Sequence, residues 1–258
     1  MNNQALLSVR DMTCTWDGVH GCRDINFDLH PGEVLCVVGE SGSGKSTLLQ
    51  AVSWQMQPDS GSVCYDTRDR GFVDLAALSA AQLRLLARTD WGFVRQNTRD
   101  GLRMQVSAGA NIAERLMAVG QRHYGDLRST ASSWLEKMEI DASRLDDTPS
   151  AFSGGMQQRL QIARNLVTYP RMVFMDEPTA SLDVSVQARL LDLLRQLVAD
   201  LRLAAIVVTH DLAVARLLAH RTLVMRGGRV VESGLTDQIL DDPQHPYTQL
   251  LVSSILQS

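Results

Sequence analysis

The sequence predicts an α/β protein built on a mainly parallel sheet, and three observations lead to that class. Apolar runs of strand length alternate with longer helical patterns over residues 172–225, which is typical of successive strand–helix units. Val34–Val38 is an unbroken apolar run, the pattern of a strand buried on both faces. A chain of 258 residues is also long enough to form one large domain with a substantial core.

Most elements follow from periodicity and length. Strand patterns lie within residues 5–38, ending in 34–38, and at 61–65, 91–95, 172–175, 204–208 and 222–225. Helical patterns lie at residues 48–54, 78–87, about 99–149, 184–201 and 212–219. The long helical stretch interrupts the alternation of strands and helices. We therefore expect a single domain over residues 1–258 with a helical subdomain inserted at about 97–152.

Composition excludes several classes of protein. A formal net charge of −4 with 45% hydrophobic residues argues against a disordered chain and against a generic nucleic-acid binder. No apolar run approaches the roughly 20 residues of a membrane span, and no signal-peptide pattern is visible. The four cysteines form no CxxC pair, which favours reduced thiols over disulfides or a zinc site. We expect a cytoplasmic protein without direct membrane insertion.

A phosphate-binding loop is predicted directly after the strand Val34–Val38. Residues Gly39 to Ser46 read Gly-Glu-Ser-Gly-Ser-Gly-Lys-Ser and match the pattern G-x-x-x-x-G-K-[ST] between a strand and a helix. Glycines let the backbone N–H groups approach a phosphate, and the helix N-terminus favours anions. Lys45 suits the β- and γ-phosphates, and the Ser46 hydroxyl suits Mg²⁺. A glycine-rich turn without this function is the alternative, and the strand–loop–helix context argues against it.

Two carboxylates end a later strand. Met172–Met175 is apolar and is followed by Asp176 and Glu177. An acidic pair at a strand end is common by itself, but beside a phosphate loop it predicts a specific chemistry. Asp176 is expected to hold Mg²⁺ through water, and Glu177 is expected to orient and deprotonate an attacking water.

Further motifs follow in a fixed order and name a family. Gln96 comes after the strand at 91–95, Ser153-Gly154-Gly155-Met156-Gln157 precedes the acidic pair, and Ser181-Leu182-Asp183 and Val208-Thr209-His210-Asp211 follow it. With the phosphate loop, they resemble the ATP-binding cassette (ABC) ATPases across essentially the whole chain. The resemblance implies a P-loop ATPase core with an antiparallel β-subdomain and an inserted helical subdomain.

The resemblance also implies a site for ATP and Mg²⁺ that two subunits share in a head-to-tail homodimer. It implies catalytic roles for Glu177, His210, Gln96 and Lys45, and Mg²⁺ ligands at Ser46, Gln96 and Asp176. The nucleotide-binding residues that it implies are Trp16, Gly39, Glu40, Ser41, Gly42, Ser43, Gly44, Lys45, Ser46, Thr47, Ser153, Gly154, Gly155 and Asp183. Trp16 is expected to stack on adenine. A surface aromatic at Trp16 and a helix cap at His210 are the alternatives.

One motif departs from the common family pattern. The usual signature reads Leu-Ser-Gly-Gly-Gln, whereas this chain has Phe152 in place of the leucine and Met156 in place of the glutamine. Ser153, Gly154 and Gly155 are retained, so we expect the backbone groups of this loop to keep their role. We expect this departure to bear on the rate of ATP hydrolysis and on how hydrolysis is coupled to the work of the protein.

Two segments indicate which kind of ABC protein this is. The stretch from Asp100 to Asp126, together with the Phe-Ser-Gly-Gly-Met-Gln signature, resembles the ABC subunits of bacterial carbon–phosphorus lyase systems, which serve phosphonate breakdown. That resemblance implies docking on the lyase core complex, and a second ABC subunit is a further candidate partner. The tail from His245 to Leu251 resembles the ATPase subunits of peptide importers. Two alternatives therefore stay open: a membrane-peripheral subunit of a peptide, nickel or phosphonate importer, and a nucleotide-gated binding module with incidental turnover.

Charge predicts a docking face after Gln96. Residues 84–128 contain eight arginines and four acidic residues, although the chain as a whole is acidic. Arginine suits protein interfaces because its planar guanidinium pairs with carboxylates at two points. The alternative is a solvated helical face. We expect part of this stretch to meet the lyase core, so that reversing Arg99 and Arg103 to Glu weakens the contact and leaves ATP binding intact.

Overall fold

The computed structural model describes residues 4–180 and 182–255, and it contains ten strands and ten α-helices within those ranges. The strands are β1 (Leu7–Thr15), β2 (Gly21–Leu29), β3 (Val34–Val38), β4 (Ser60–Thr67), β5 (Gly71–Asp74), β6 (Trp91–Val94), β7 (Met172–Asp176), β8 (Ala204–Thr209), β9 (Arg221–Arg226) and β10 (Arg229–Leu235). The helices are α1 (Lys45–Val52), α2 (Ala80–Thr89), α3 (Thr98–Gly101), α4 (Ala108–Ala118), α5 (Tyr124–Lys137), α6 (Gly154–Leu166), α7 (Val184–Leu201), α8 (Leu212–Leu218), α9 (Thr236–Asp241) and α10 (Pro246–Ile255).

Two sheets organise the chain, as the predicted class requires. The larger sheet has the strand order β10-β9-β3-β8-β7-β6, and only the pairing of β10 with β9 is antiparallel. The smaller sheet has the order β2-β1-β4-β5 and is antiparallel throughout. This confirms the α/β class with an antiparallel β part.

The larger sheet is covered on both faces, which explains why its central strand is apolar at every position. On β3, Leu35 and Val37 pack into the core shared with the antiparallel sheet and α1. Val34, Cys36 and Val38 alternate with them and pack into the second core, which is formed with the helices. Strand side chains point to opposite faces in turn, so a strand with two buried faces has no polar position.

The parallel strands bring the predicted chemistry to one edge. β3, β7 and β8 run parallel in register, so the residues that follow each of them emerge at the same carboxyl edge of the sheet. This edge of a parallel sheet is where ligands bind in open α/β folds. Between β6 and β7 the chain forms the four helices α3 to α6, which agrees with the long helical stretch expected there.

Some elements differ from the sequence prediction. Helix α1 begins at Lys45, three residues before the predicted start. Gly44 caps it in a left-handed conformation, and such a cap produces no apolar pattern in the sequence. Strands β5 and β10 and helices α9 and α10 were not predicted. Among residues 4–180 and 182–255, no helix is long and apolar enough to cross a membrane.

Candidate functional site

The loop from Gly39 to Gly44 joins β3 to α1, and at Gly39 and Gly44 its backbone has a conformation that only glycine allows. Gly39 has a φ of 150° and Gly44 a φ of 99°. A Cβ atom at Gly39 would collide with the Met225 carbonyl oxygen, and one at Gly44 would collide with the Gly21 carbonyl oxygen. The loop is therefore wrapped tightly against neighbouring backbone, and its shape fits the predicted phosphate cradle.

Lys45 is held in this loop by backbone carbonyls. Its ammonium donates to the Gly39 oxygen at 2.7 Å and to the Glu40 oxygen at 2.8 Å, and the residue is only 7% exposed. Burial lowers the pKa of Lys45, while the carboxylates of Glu177 and Asp176 act in the opposite direction. A buried ammonium positioned next to glycine N–H groups has the charge and reach to bind phosphate oxygens.

Ser46 and Asp176, two of the residues expected to hold Mg²⁺, lie within hydrogen-bond distance of each other. The Ser46 hydroxyl donates to Asp176 Oδ1 at 3.3 Å across 130 positions of sequence. Burial raises the pKa of Asp176, and the nearby Glu177 charge adds to that shift. A hard cation would relieve this desolvated carboxylate, and oxygen donors are the ligands that Mg²⁺ prefers. These residues therefore fit the metal.

Glu177 follows β7 in an unusual backbone conformation, and its side chain contacts Thr209 and His210. Its φ is 46°, and its N–H donates to the Val208 carbonyl oxygen at 2.8 Å. Its carboxylate lies 2.9 Å from His210 Nδ1 and accepts from the Thr209 hydroxyl at 3.2 Å. A non-glycine residue in this region is strained, and such strain is typical of functional sites. Sequence reasoning missed Thr209, although it stands inside the quoted motif before His210.

An open pocket of about 370 Å³ collects half of the predicted nucleotide-binding residues. Its lining consists of Trp16, His20, Gly21, Ser41, Gly42, Gly44, Lys45, Ser46, Thr47, Gln96, Glu177 and His210. The remaining loop residues Gly39, Glu40 and Ser43 shape the cradle without lining this space. Ser43 Oγ is buried and has no hydrogen-bond partner within the described residues.

Trp16 stands at the mouth of the pocket. It is 64% exposed, and its ring stacks on His20 with a centroid separation of 5.2 Å. An exposed aromatic face beside a phosphate loop is suited to stacking on a base. Sequence reasoning missed His20, whose ring supports the Trp16 ring from one side.

The other predicted residues lie apart from this pocket. Ser153 caps α6 by accepting from the Met156 N–H at 3.4 Å, and Gly155 packs so closely on α7 that a Cβ atom there would lie 2.6 Å from Val186 Cγ1. Asp183 is exposed at the start of α7, and its carboxylate makes no capping bond to the described first turn of that helix. Ser181 lies outside the described residues.

Phe152 and Met156, the two residues that differ from the usual signature motif, share one neighbour. The Arg144 guanidinium lies 4.6 Å from the Phe152 ring centroid and 3.6 Å from the Met156 sulfur. It also donates to the Ala151 carbonyl oxygen at 3.1 Å and to Asp147 at 2.7 Å. Phe152 and Met156 therefore form a binding surface for Arg144, which holds the loop from one side.

Helix α6 also holds the strand that leads to Gln96. The Gln161 side chain accepts from the Arg95 N–H at 2.5 Å and donates to the Arg95 carbonyl oxygen at 3.2 Å. Asn165 accepts from the Phe93 N–H at 2.9 Å. Both amides are buried. β6 is the edge strand of the sheet, and these amides satisfy backbone groups that a further strand would otherwise pair with. The signature helix and the Gln96 loop are thus joined directly, which no local pattern in the sequence indicates.

Comparison with known proteins agrees with this geometry. A family model described as ABC transporter matches residues 22–180. The chain belongs to the ABC transporter family. A second model, described as the C-terminal region of oligopeptide/dipeptide transporters, matches residues 231–258. As an ABC ATPase, the protein binds ATP and hydrolyses it.

Two relatives and a solved structure place the chain within the family. The phosphonates utilization ATP-binding protein PhnK of Escherichia coli K12 is 64% identical over 99% of this chain and 100% of its own length. The glutathione import ATP-binding protein GsiA of Escherichia coli K12 is 35% identical over 91% of this chain, which spans 39% of GsiA. The dimeric ATP-binding cassette MJ0796, bound to ADP and Pi after hydrolysis, superposes with a TM-score of 0.79 at 27% identity, over 89% of this chain and 98% of its own.

Proposed function

We propose that this ABC ATPase docks as a homodimer on a carbon–phosphorus lyase core complex in the cytoplasm and supports phosphonate breakdown by hydrolysing ATP with Mg²⁺. The observation that carries the proposal is the 64% identity with a phosphonates utilization protein along the full length of both chains. The identity extends over the helices between β6 and β7 and over the C-terminal tail, so it is not limited to the phosphate loop and the other motifs that ABC ATPases of different function share.

The hydrolytic step follows from the residues of the pocket. Ser46, Asp176 and Gln96 would hold Mg²⁺, which supplies positive charge next to the phosphates when it is bound. Lys45 would bind the terminal phosphates from the floor of the pocket. Glu177 would accept the proton of the attacking water, because Thr209 and His210 fix its carboxylate where β7 ends. His210 Nδ1 lies 2.9 Å from the Glu177 carboxylate, and the ring would contact the γ-phosphate through an Nε2–H, because phosphate oxygens accept hydrogen bonds.

A second copy of the chain would complete each site. Ser153 and Gly155 lie at the N-terminus of α6, a helix of 13 residues that favours anions at this end. They do not line the pocket that contains Lys45. In a head-to-tail dimer these groups would contact the γ-phosphate held by the partner, and Asp183 would cross the interface. The dimeric state of MJ0796 supports this arrangement.

The contacts of the individual arginines indicate which of them suit the proposed docking face. We propose that residues of about 97–152 form an inserted helical subdomain that carries this face. Arg115 is unsuited to a docking role, because it donates to the Ala87 and Trp91 carbonyl oxygens and its pKa is lowered to about 10 by burial. Arg128 pairs with Asp146 through two short hydrogen bonds. Arg99 and Arg103 are exposed, and Arg103 pairs with Glu114 at 2.6 Å.

A pull-down from phosphate-starved cells tests the partner. The tagged wild-type protein should recover lyase subunits, and the double variant Arg99→Glu/Arg103→Glu should recover at least tenfold less while its ATP affinity stays unchanged. Arg128→Glu is the matched control, since it reverses an exposed arginine of α5 and should leave recovery intact. Equal recovery by the double variant would exclude this face.

An importer subunit is the second candidate. The C-terminal model and the 35% identity with a glutathione import protein favour it. In that case the same pull-down should recover a permease instead of lyase subunits, and the protein would lie at the membrane surface through that partner.

A further inference from the structure

The C-terminal tail contains a buried tyrosine that touches the phosphate loop. The sequence singles out the tail from His245 to Leu251, yet the hydrolytic chemistry uses none of its residues. Tyr247, in the first turn of α10, is only 3% exposed. Its hydroxyl accepts a hydrogen bond from the Glu40 N–H at 3.1 Å, although 207 positions separate the two residues.

The Glu40 N–H belongs to the peptide group that also contains the Gly39 carbonyl. That carbonyl accepts from the Lys45 ammonium at 2.7 Å. In a planar trans peptide the N–H and C=O groups point in opposite directions. One peptide group is therefore held between Tyr247 on one side and Lys45 on the other.

The Tyr247 hydroxyl is itself fixed by β9 and β10. The Arg226 guanidinium, at the end of β9, lies 4.8 Å from the Tyr247 ring centroid. Glu232, on β10, accepts from the N–H groups of Gln244 at 2.7 Å and His245 at 3.1 Å, just before α10 begins. These contacts hold the ring and the segment just before it, so the hydroxyl is kept in place as an acceptor.

We propose that Tyr247 is a positioning residue for ATP binding. Its hydroxyl fixes the plane of the Gly39–Glu40 peptide, so that the Gly39 carbonyl holds the Lys45 ammonium in the pocket before the nucleotide arrives. Gly39 makes this restraint necessary, because glycine lets a peptide group rotate at little cost. The inference rests on ATP binding alone and is independent of which complex the protein serves.

Removing the hydroxyl should weaken nucleotide affinity more than turnover. Tyr247→Phe retains the ring against Arg226 but leaves the Glu40 N–H without an acceptor. The peptide group can then rotate and carry the Gly39 oxygen away from Lys45. The loss of one buried hydrogen bond corresponds to a roughly three- to tenfold rise in the Kd and KM for ATP. The kcat at saturating ATP should change less than twofold, because Glu177 and His210 are untouched.

The experiment compares Tyr247→Phe with Tyr65→Phe by titration with a fluorescent ATP analogue, by steady-state hydrolysis and by thermal unfolding. Tyr65 is a matched control: it is also buried, its hydroxyl donates to Asp90 at 3.3 Å, and Arg171 lies beside its ring. The control should lose thermal stability without a change in Kd. Arg226→Gln, which loosens the Tyr247 ring and leaves its hydroxyl, should raise the Kd by a smaller factor than Tyr247→Phe. An unchanged Kd in folded Tyr247→Phe, or a lower kcat at constant KM, would overturn the proposal.

Discussion

Arg144 should control how firmly the signature loop engages a partner subunit. It is the common neighbour of the two residues that depart from the usual family motif, Phe152 and Met156. Replacing Arg144 by Ala removes its contact with the Phe152 ring and its hydrogen bond to the Ala151 carbonyl oxygen. The loop would keep Ser153 and its glycines but lose the side chain that fixes its position.

The size of the effect follows from these two contacts. A cation over an aromatic ring contributes about 0.5–2 kcal/mol. A hydrogen bond to a carbonyl oxygen adds about 0.5–1.5 kcal/mol. When the freed loop has to be re-ordered as the dimer forms, a re-ordering cost of about 1.4 kcal/mol, which lies within the combined range, weakens binding tenfold. Because a head-to-tail dimer contains two such loops, the dimer dissociation constant should rise by up to about a hundredfold.

The assay is sedimentation of the ATP-bound dimer in a Glu177→Gln background, where hydrolysis does not remove the nucleotide. Arg144→Ala is compared with Arg128→Ala, which also breaks an exposed pair with an aspartate, Asp146, but does not touch the signature loop. The control should dimerise like the parent. A dissociation constant for Arg144→Ala within twofold of that control would refute the reasoning, as would a loss of monomer ATP binding.

Three further outcomes are expected. Glu177→Gln should lower hydrolysis about 10²- to 10⁴-fold and retain ATP binding, because it removes only the proton acceptor; normal growth of that variant on a phosphonate as sole phosphorus source would instead favour a nucleotide-gated binding module. Gly155→Ala should lower ATPase activity at least tenfold in a protein that still binds ATP, since the new methyl group lies 2.6 Å from Val186 Cγ1 and pushes the signature helix from α7; wild-type activity would contradict this. Glu232→Gln should lower the Tm by about 2–4 °C at pH 7, as expected for roughly 1 kcal/mol. Burial raises the Glu232 pKa, but hydrogen bonds that include two backbone N–H groups outweigh it and depress the pKa below the ordinary glutamate value. The stabilisation is therefore lost as the pH falls through this depressed pKa, and the Tm difference should vanish below it.

The phosphate loop and its strand were predictable because their signal is local. Val34–Val38 is apolar on both faces, and the closely spaced glycines with Lys45 and Ser46 leave few other interpretations. The start of α1 was harder to predict, because it depends on the backbone conformation of Gly44, which produces no hydrophobic pattern in the sequence. Strand β10 escaped prediction for a related reason: its residues alternate only weakly, and its pairing with β9 decides its structure.

The docking face shows where charge counting falls short. Arg115 and Arg128 increase the local positive charge in the sequence, but the fold uses Arg115 to hold the Ala87 and Trp91 carbonyls and pairs Arg128 with Asp146. A count of charges along the chain does not distinguish a guanidinium that satisfies the protein's own acceptors from one that faces a partner. Arg99 and Arg103 are two of the exposed arginines of this stretch, and Arg103 also pairs with Glu114.

The sequence by itself determined the fold class, the family and the identity of the chemical groups, since each depends on short patterns of residues close together in the chain. The tertiary structure decided which distant residues support those groups. Tyr247 reaches Glu40 across 207 positions, and Gln161 holds the Arg95 backbone across 66. Contacts of this kind arise when separate elements pack together, and a single buried polar side chain produces no periodicity that would reveal its partner.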